Sequence, residues 1–145
     1  MPTRTAHTDW HGTLQEGSGR VELVSSKVGT YEVSFPRRAA DDAGGTTSPE
    51  ELIAAAHSSC FAMSLSNEIG KAGGTPRGLD VTAEVTLGQK DGGPTITRIR
   101  LTVRGDVDGL DAAGFEKAAQ AAKAGCPVSR ALAGVEDIQL DASLR

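Results

Sequence analysis

Two cysteines carry the strongest chemistry in this chain of 145 residues, and both sit among small neighbours that leave a sulfur open to approach. Cys60 lies in Ala-Ala-His-Ser-Ser-Cys-Phe-Ala-Met and Cys126 in Ala-Gly-Cys-Pro-Val-Ser-Arg. A thiol attacks as its thiolate, and burial disfavours that charge. Cys60 therefore needs a cation to act as a nucleophile. At about 4 Å and an effective dielectric near 20, one arginine favours the thiolate by roughly 4 kcal/mol, about three pK units. Arg37 or Arg38 could supply it, and Glu50, ten residues before Cys60, could hold that arginine through both carboxylate oxygens. The plainer alternative has Glu50 serving a helix dipole and both arginines solvated.

Cys126 makes a competing case. It precedes Pro127 at a helix start, where the positive end of the dipole favours a thiolate, so residue physics leaves open which sulfur attacks. His57, three residues before Cys60, raises two further readings. As a metal ligand it has too few companions, because no C-x-x-C or H-x-x-x-H pair accompanies it. As the base of a Cys-His enzyme it suffers from i,i+3 spacing on a rigid helix, which rarely aligns thiol and imidazole. A non-enzymatic alternative is a small dimeric binding or stress protein with an inert, buried cysteine pair.

The element that must position Cys60 runs from Ser48 to Gly70. Ser48 suits an N-cap, Pro49 the first helical position, and Glu51 completes a capping box. Leu52 to Asn67 carries no charge, and Ala, Leu, Ile, Phe and Met occupy every face, which predicts a helix buried all round. Before it, Thr5–Gln15, Arg20–Ser25 and Tyr31–Phe35 read as a meander of strands, ended by Pro36 and a polar loop from Ala39 to Thr47. After it come two long strands, Leu79–Leu87 and Thr95–Val107, joined through Asp91-Gly92-Gly93-Pro94. The second alternates apolar residues with Arg98, Arg100 and Arg104, which reads as a wet outer face. Asp111 caps a helix to about Ala124, a short helix Val128–Leu132 follows Cys126, and Asp137–Ala142 is a closing strand.

Composition narrows the class of function. The length suits one domain spanning residues 1–145, and scarce aromatics with 18 glycines indicate an Ala/Val/Leu/Ile core in an α/β mixture. A net charge of −4 and a pI near 5.3 give no footprint for nucleic acid. The first residues lack the apolar run of a signal peptide, and the buried helix is too short and interrupted to span a bilayer, so a cytoplasmic protein without a membrane role is expected. In a reducing compartment, two cysteines point to redox or nucleophilic use more than to a structural staple.

At the two cysteine segments, Thr47–Met63 and Ala122–Ser129, the sequence resembles the OsmC/Ohr family of thiol-dependent organic hydroperoxide reductases. His57 before the first cysteine, Ala-Gly-Cys-Pro-Val-Ser at the second and an arginine after the third strand place the likeness on the OsmC branch. The elements read from the residues give the order β-β-β-α-β-β-α-α-β, and the resemblance implies an α+β fold. It implies an intertwined homodimer whose central buried helices are flanked by antiparallel sheets. It further implies that Cys60 is the peroxidatic thiol and Cys126 the resolving thiol, with Arg38 and Glu50 as the activating pair. Aligning on the phenylalanine of the preceding strand favours Arg38 over Arg37. The substrates implied are organic hydroperoxides and, more weakly, hydrogen peroxide. The reductant implied is a lipoyl-type dithiol, with no bound cofactor or metal.

Overall fold

Alternation along residues 93–108 sorts side chains by face: Ile99, Leu101 and Val103 are fully buried, while Arg98 and Arg100 remain exposed. This is one strand of a computed structural model that describes all of residues 1–145 and forms two compact units, residues 1–52 and 53–145.

In residues 1–52, β1 (His7–His11), β2 (Ser18–Glu22) and β3 (Thr30–Val33) form an antiparallel meander in that order. The strands are shorter than their sequence patterns, and Val21 is the one hydrophobic residue of this unit that reaches full burial. The third strand does not extend to Phe35. Ser34 instead caps a one-turn helix, α1 (Phe35–Arg38), its hydroxyl accepting from the Arg37 amide. Pro36 sits in the first turn, where a ring without an N–H is tolerated, so it starts a helix here where a loop was expected. Arg37 and Arg38 are thus separated by about 100° of helix, whereas an extended chain would place them on opposite sides.

α2 (Pro49–Lys71) begins as its sequence predicts, with the Ser48 hydroxyl accepting from the Glu51 amide at 3.1 Å. The capping box is only half made, because the Glu51 carboxylate accepts from Thr47 Oγ1 at 2.7 Å. At the other end, the Gly74 amide donates to Ile69 O and the Gly73 amide to Gly70 O, with Gly73 at φ +85°. That is a Schellman stop, and the left-handed position explains the glycine.

In residues 53–145, His57, Phe61, Leu65 and Ile69 form a stripe at 0% exposure along α2. Burying each of the three large apolar side chains contributes roughly 1.5–3 kcal/mol, and this packing stabilises the helix more than its intrinsic propensity does. The opposite face is open: Ala55, Ala56, Ser59 and Ser66 are exposed, and Met63 is 69% exposed. One chain therefore does not bury this helix all round. The covered face carries the large apolar side chains, and the open one carries small and polar residues with Met63.

β4 (Thr75–Lys90) and β5 (Gly93–Asp108) pair along their whole length around a tight turn at Asp91-Gly92, φ 52° and 79°. These angles make the two-residue hairpin whose twist matches the strands. α3 (Ala112–Gly125) is capped by Asp111, whose carboxylate accepts from the Gly114 amide at 2.8 Å. Its Phe115 packs over Gly105, where a Cβ would stand 2.6 Å from the ring. Phe115, Ala118, Ala119 and Ala122 complete the core with Phe61, Leu65, Ile69, Leu101 and Val103.

α4 (Pro127–Ala131) leads to β6 (Asp137–Leu144), which pairs with β5 in parallel. The order of this sheet is β4-β5-β6. It is thus mixed, and the expectation of wholly antiparallel sheets holds only for the meander. The reason is connectivity, since two helices between β5 and β6 give the crossover that parallel pairing needs. On the outer face, Arg98 Nε donates to Asp137 at 2.8 Å and Arg104 Nη2 to Asp141 at 3.0 Å, as solvated strand residues should. No helix is long and apolar enough to cross a membrane.

Candidate active site

The sequence-predicted site residues form two constellations, one in each unit. In residues 1–52, Arg38 at the end of α1 meets Glu50 in the first turn of α2. Arg38 Nε donates to both carboxylate oxygens at 3.1 Å, and Nη2 donates to Oε1 at 2.7 Å. Glu50 is only 7% exposed. A buried carboxylate needs such a partner, and hydrogen bonding to Glu50 raises the Arg38 pKa further above its ordinary value. The neighbouring Arg37 lies over Gly44, whose φ of +58° and closeness to the guanidinium leave no room for a Cβ. Of the two candidates, Arg38 is therefore the one held by Glu50. Arg38 also lines a largely apolar cavity of about 280 Å³ with Trp10, Leu14, Val33, Phe35 and Leu52.

In residues 53–145, α2 carries Cys60, and Cys126 both closes α3 and opens α4. The two free thiols are 3.0 Å apart, sulfur to sulfur. A disulfide is about 2.05 Å long, so an approach of roughly 1 Å joins them. Cys126 is fully buried and Cys60 half-buried. Burial pushes the Cys60 thiol up, its hydrogen bond with Cys126 adds to this, and the Val128 amide and Ser64 hydroxyl only partly oppose them. None of these groups is a cation. Burial acts against the Cys126 thiolate, but polar groups at the start of α4, Ser129 foremost, together with Cys60 act the other way and hold Cys126 below its ordinary value.

The His57 ring pairs with Ser129 and with neither sulfur. Its Nε2 is 2.6 Å from Ser129 Oγ, and its Nδ1 has no partner. Burial lowers its pKa, so the ring is neutral. No group of three His, Cys, Asp or Glu side chains is placed to hold a metal ion. Ser129, buried at 7% exposure, is the residue that sequence reasoning missed. The available signal was spacing, since His57 and Cys60 on α2 are matched by Cys126 and Ser129 around α4, each pair three residues apart.

A close, unbonded thiol pair at a helix junction on an α+β scaffold is the arrangement of an oxidoreductase that works through cysteine. The chain belongs to the OsmC-like protein family, whose sequence profile matches residues 41–141. It lies on the OsmC branch, being 43% identical over 136 residues to "Peroxiredoxin OsmC" of Escherichia coli, a match covering 94% of this chain and 92% of the relative. It is also 27% identical over 140 residues to "Organic hydroperoxide resistance protein-like 2" of Staphylococcus epidermidis, covering 94% and 96% of the two chains. Among solved structures, an organic hydroperoxide resistance protein from Elizabethkingia anophelis is similar with a TM-score of 0.74 and 26% identity, covering 99% of this chain and 96% of that one.

Proposed function

We propose that this protein is a peroxidase that reduces organic hydroperoxides, and hydrogen peroxide more weakly, in oxidative or osmotic stress defence. Membership of the family and the names of its relatives support the class of reaction. The observation that carries the mechanism is the 3.0 Å separation of Cys60 and Cys126.

Cys60 thiolate attacks the distal oxygen of ROOH, the O–O bond breaks, and the alkoxide takes a proton to leave as ROH. The resulting Cys60 sulfenic acid is attacked by Cys126, which forms the disulfide and releases water. An external dithiol of the lipoyl type then restores both thiols. It attacks at Cys60, the more accessible sulfur, and Cys126 leaves as the thiolate.

Arg38, oriented by Glu50, supplies the charge that favours the Cys60 thiolate and stabilises the departing oxygen. In this reading the pair acts on the Cys60 of a second copy, within a homodimer that works in the cytoplasm as one domain per chain. The uncovered α2 face, with Ala55, Ala56 and a Met63 that is 69% exposed, supports a dimer, because apolar side chains left open along one helix face mark an interaction surface.

Titration with cumene hydroperoxide tests the function. One equivalent should remove two free thiols per chain and lower the protein mass by two hydrogens. An inert cysteine pair in a binding protein would keep both thiols and its mass.

A further inference from the structure

Cys60 and Cys126 form a pair that chemistry other than peroxide reduction can use. Both lie in residues 53–145, both are free thiols, and their sulfurs are 3.0 Å apart. Each sulfur is carried by a helix. Cys60 is in the middle of α2, and Cys126 sits where α3 ends and α4 begins, its amide donating to Ala122 O at 2.8 Å and its carbonyl accepting from the Arg130 amide at 3.0 Å. One turn away along each helix, His57 Nε2 and Ser129 Oγ are 2.6 Å apart, a second tie between the same two elements. The two sulfurs are thus together before any ligand arrives, and a ligand that takes both removes little further freedom from the protein.

The pair lacks the companions of a metal centre. Zinc takes four ligands, and no group of three His, Cys, Asp or Glu side chains is placed to hold an ion. A ligand atom suited to two thiols alone is soft, takes both from the protein and brings its remaining substituent with it. Trivalent arsenic carrying one organic group meets all three conditions. Two arsenic–sulfur bonds meeting slightly above a right angle hold their sulfurs close to the separation found here, whereas a disulfide needs them roughly 1 Å nearer. Access differs between the two sulfurs, because Cys60 is half-buried and Cys126 fully buried. Arsenic therefore meets Cys60 first.

We propose that the reduced pair of Cys60 and Cys126 is a chelating site for monosubstituted trivalent arsenicals, in which arsenic bears one organic group and two hydroxyls. Cys60 displaces one hydroxyl: an As–S bond forms, an As–O bond breaks, and the thiol proton leaves with the hydroxide as water. Cys126 displaces the second hydroxyl in the same way, which closes a ring through arsenic and releases a second water. Arsenic stays trivalent and neither sulfur is oxidised, so the step needs no electron donor or acceptor. The second bond forms within one molecule, and attachment at two points strengthens binding by about 10²–10⁴ over attachment at one. A protein loaded in this way has no free sulfur left to attack a peroxide, so the arsenical is also an inhibitor of the proposed peroxidase.

The first test uses no peroxide and so stands apart from the proposed function. Reduced wild-type protein, freed of reductant, receives one equivalent of phenylarsine oxide, its free thiols are counted with Ellman's reagent, and its intact mass is recorded. Both thiols should disappear together, and the mass should rise by one phenylarsenic group less two hydrogens. Glutathione, a monothiol, should leave the adduct in place even in large excess, and dithiothreitol should remove it. Cys60→Ser and Cys126→Ser, each checked for folding by circular dichroism, should hold the arsenical at least about a hundredfold more weakly and lose it to glutathione. One thiol left free after one equivalent, or removal by glutathione as ready from wild type as from a single-cysteine variant, overturns the proposal. The wild-type thiol count decides the matter even where a variant does not fold.

The second test follows one turnover of cumene hydroperoxide by the loaded protein. Peroxide consumption should fall to the level of Cys60→Ser and return once dithiothreitol has removed the arsenic. Undiminished consumption by fully loaded protein overturns chelation through Cys60. Absence of any consumption by unloaded wild type would instead sink the peroxidase reading and leave the thiol count standing.

Discussion

Arg38 holds Glu50 by both carboxylate oxygens, with Nη2 to Oε1 at 2.7 Å, while the adjacent Arg37 rests over Gly44. If this pair activates Cys60, Arg38→Ala should raise the Cys60 pKa and slow its reaction with hydroperoxide about a hundredfold or more, the scale of a lost donor in a dry site. Arg37→Ala should change little, and Glu50→Ala should be milder than Arg38→Ala because the charge remains. Leaving the Glu50 carboxylate alone costs roughly 3–5 kcal/mol, so Arg38→Ala loses stability as well. Adding Glu50→Gln should restore stability and leave the rate low. The pH profile of Cys60 alkylation, with each variant in a Cys126→Ser background, and urea melts separate the two effects. A raised Cys60 pKa in Arg37→Ala and none in Arg38→Ala would reverse the assignment.

The thiols should divide their work. Cys60→Ser should abolish peroxide consumption, and Cys126→Ser should permit one oxidation and then stall as the sulfenic acid or over-oxidise. Trapping with dimedone, read by mass spectrometry, locates the sulfenate. Because the residues around each cysteine leave open which sulfur attacks, this is a sharp test. A sulfenate on Cys126 in Cys60→Ser, with rapid peroxide loss, would exchange the roles.

The open face of α2 at Met63, together with the exposed Trp10, Leu14 and Tyr31, should be covered by a second copy. Unfolding should then depend on protein concentration, with no folded monomer at micromolar concentration in sedimentation. Mixing inactive Cys60→Ser with inactive Arg38→Ala should restore about a quarter of wild-type activity. Half of the statistical dimers are mixed, and each mixed dimer has one intact site if the arginine acts across the two-fold axis. A folded monomer removes the dimer, and a mixture as inactive as its parts removes the cross-subunit site.

His57 makes acid stability a direct readout of burial. Its pKa is lowered in the folded state, so the unfolded chain binds the extra proton first as pH falls below about 6.5. The stability of the neutral, buried ring is complete above that pH and is lost as pH falls through the folded-state pKa. The wild type should therefore destabilise below pH 6.5 with a slope that His57→Gln lacks. Parallel stability curves for the two proteins, from urea melts between pH 4.5 and 7.5, would count against a buried neutral ring.

Features set by neighbours within a few positions were legible in the sequence by itself. Ser48 and Asp111 announced two helix starts. The Ile99, Leu101, Val103 alternation gave β5 its faces, and the residues around Cys60 and Cys126 marked both thiols as reactive candidates. Caps, turns and periodic burial are i to i+4 effects, which residue order encodes directly. Pro36 shows where local reading fails, since the same ring that ends a strand also fits a first helical turn once Ser34 caps it. Only the tertiary structure decided that Arg38 is the arginine gripped by Glu50, that β6 runs parallel to β5, and that one face of α2 stays open. It also brought together Cys60 with Cys126 and His57 with Ser129, partners 66 and 72 positions apart. Such pairings depend on how helices pack against a sheet, where a shift of an ångström makes or breaks a bond, and nothing in the spacing of one segment specifies its distance from another.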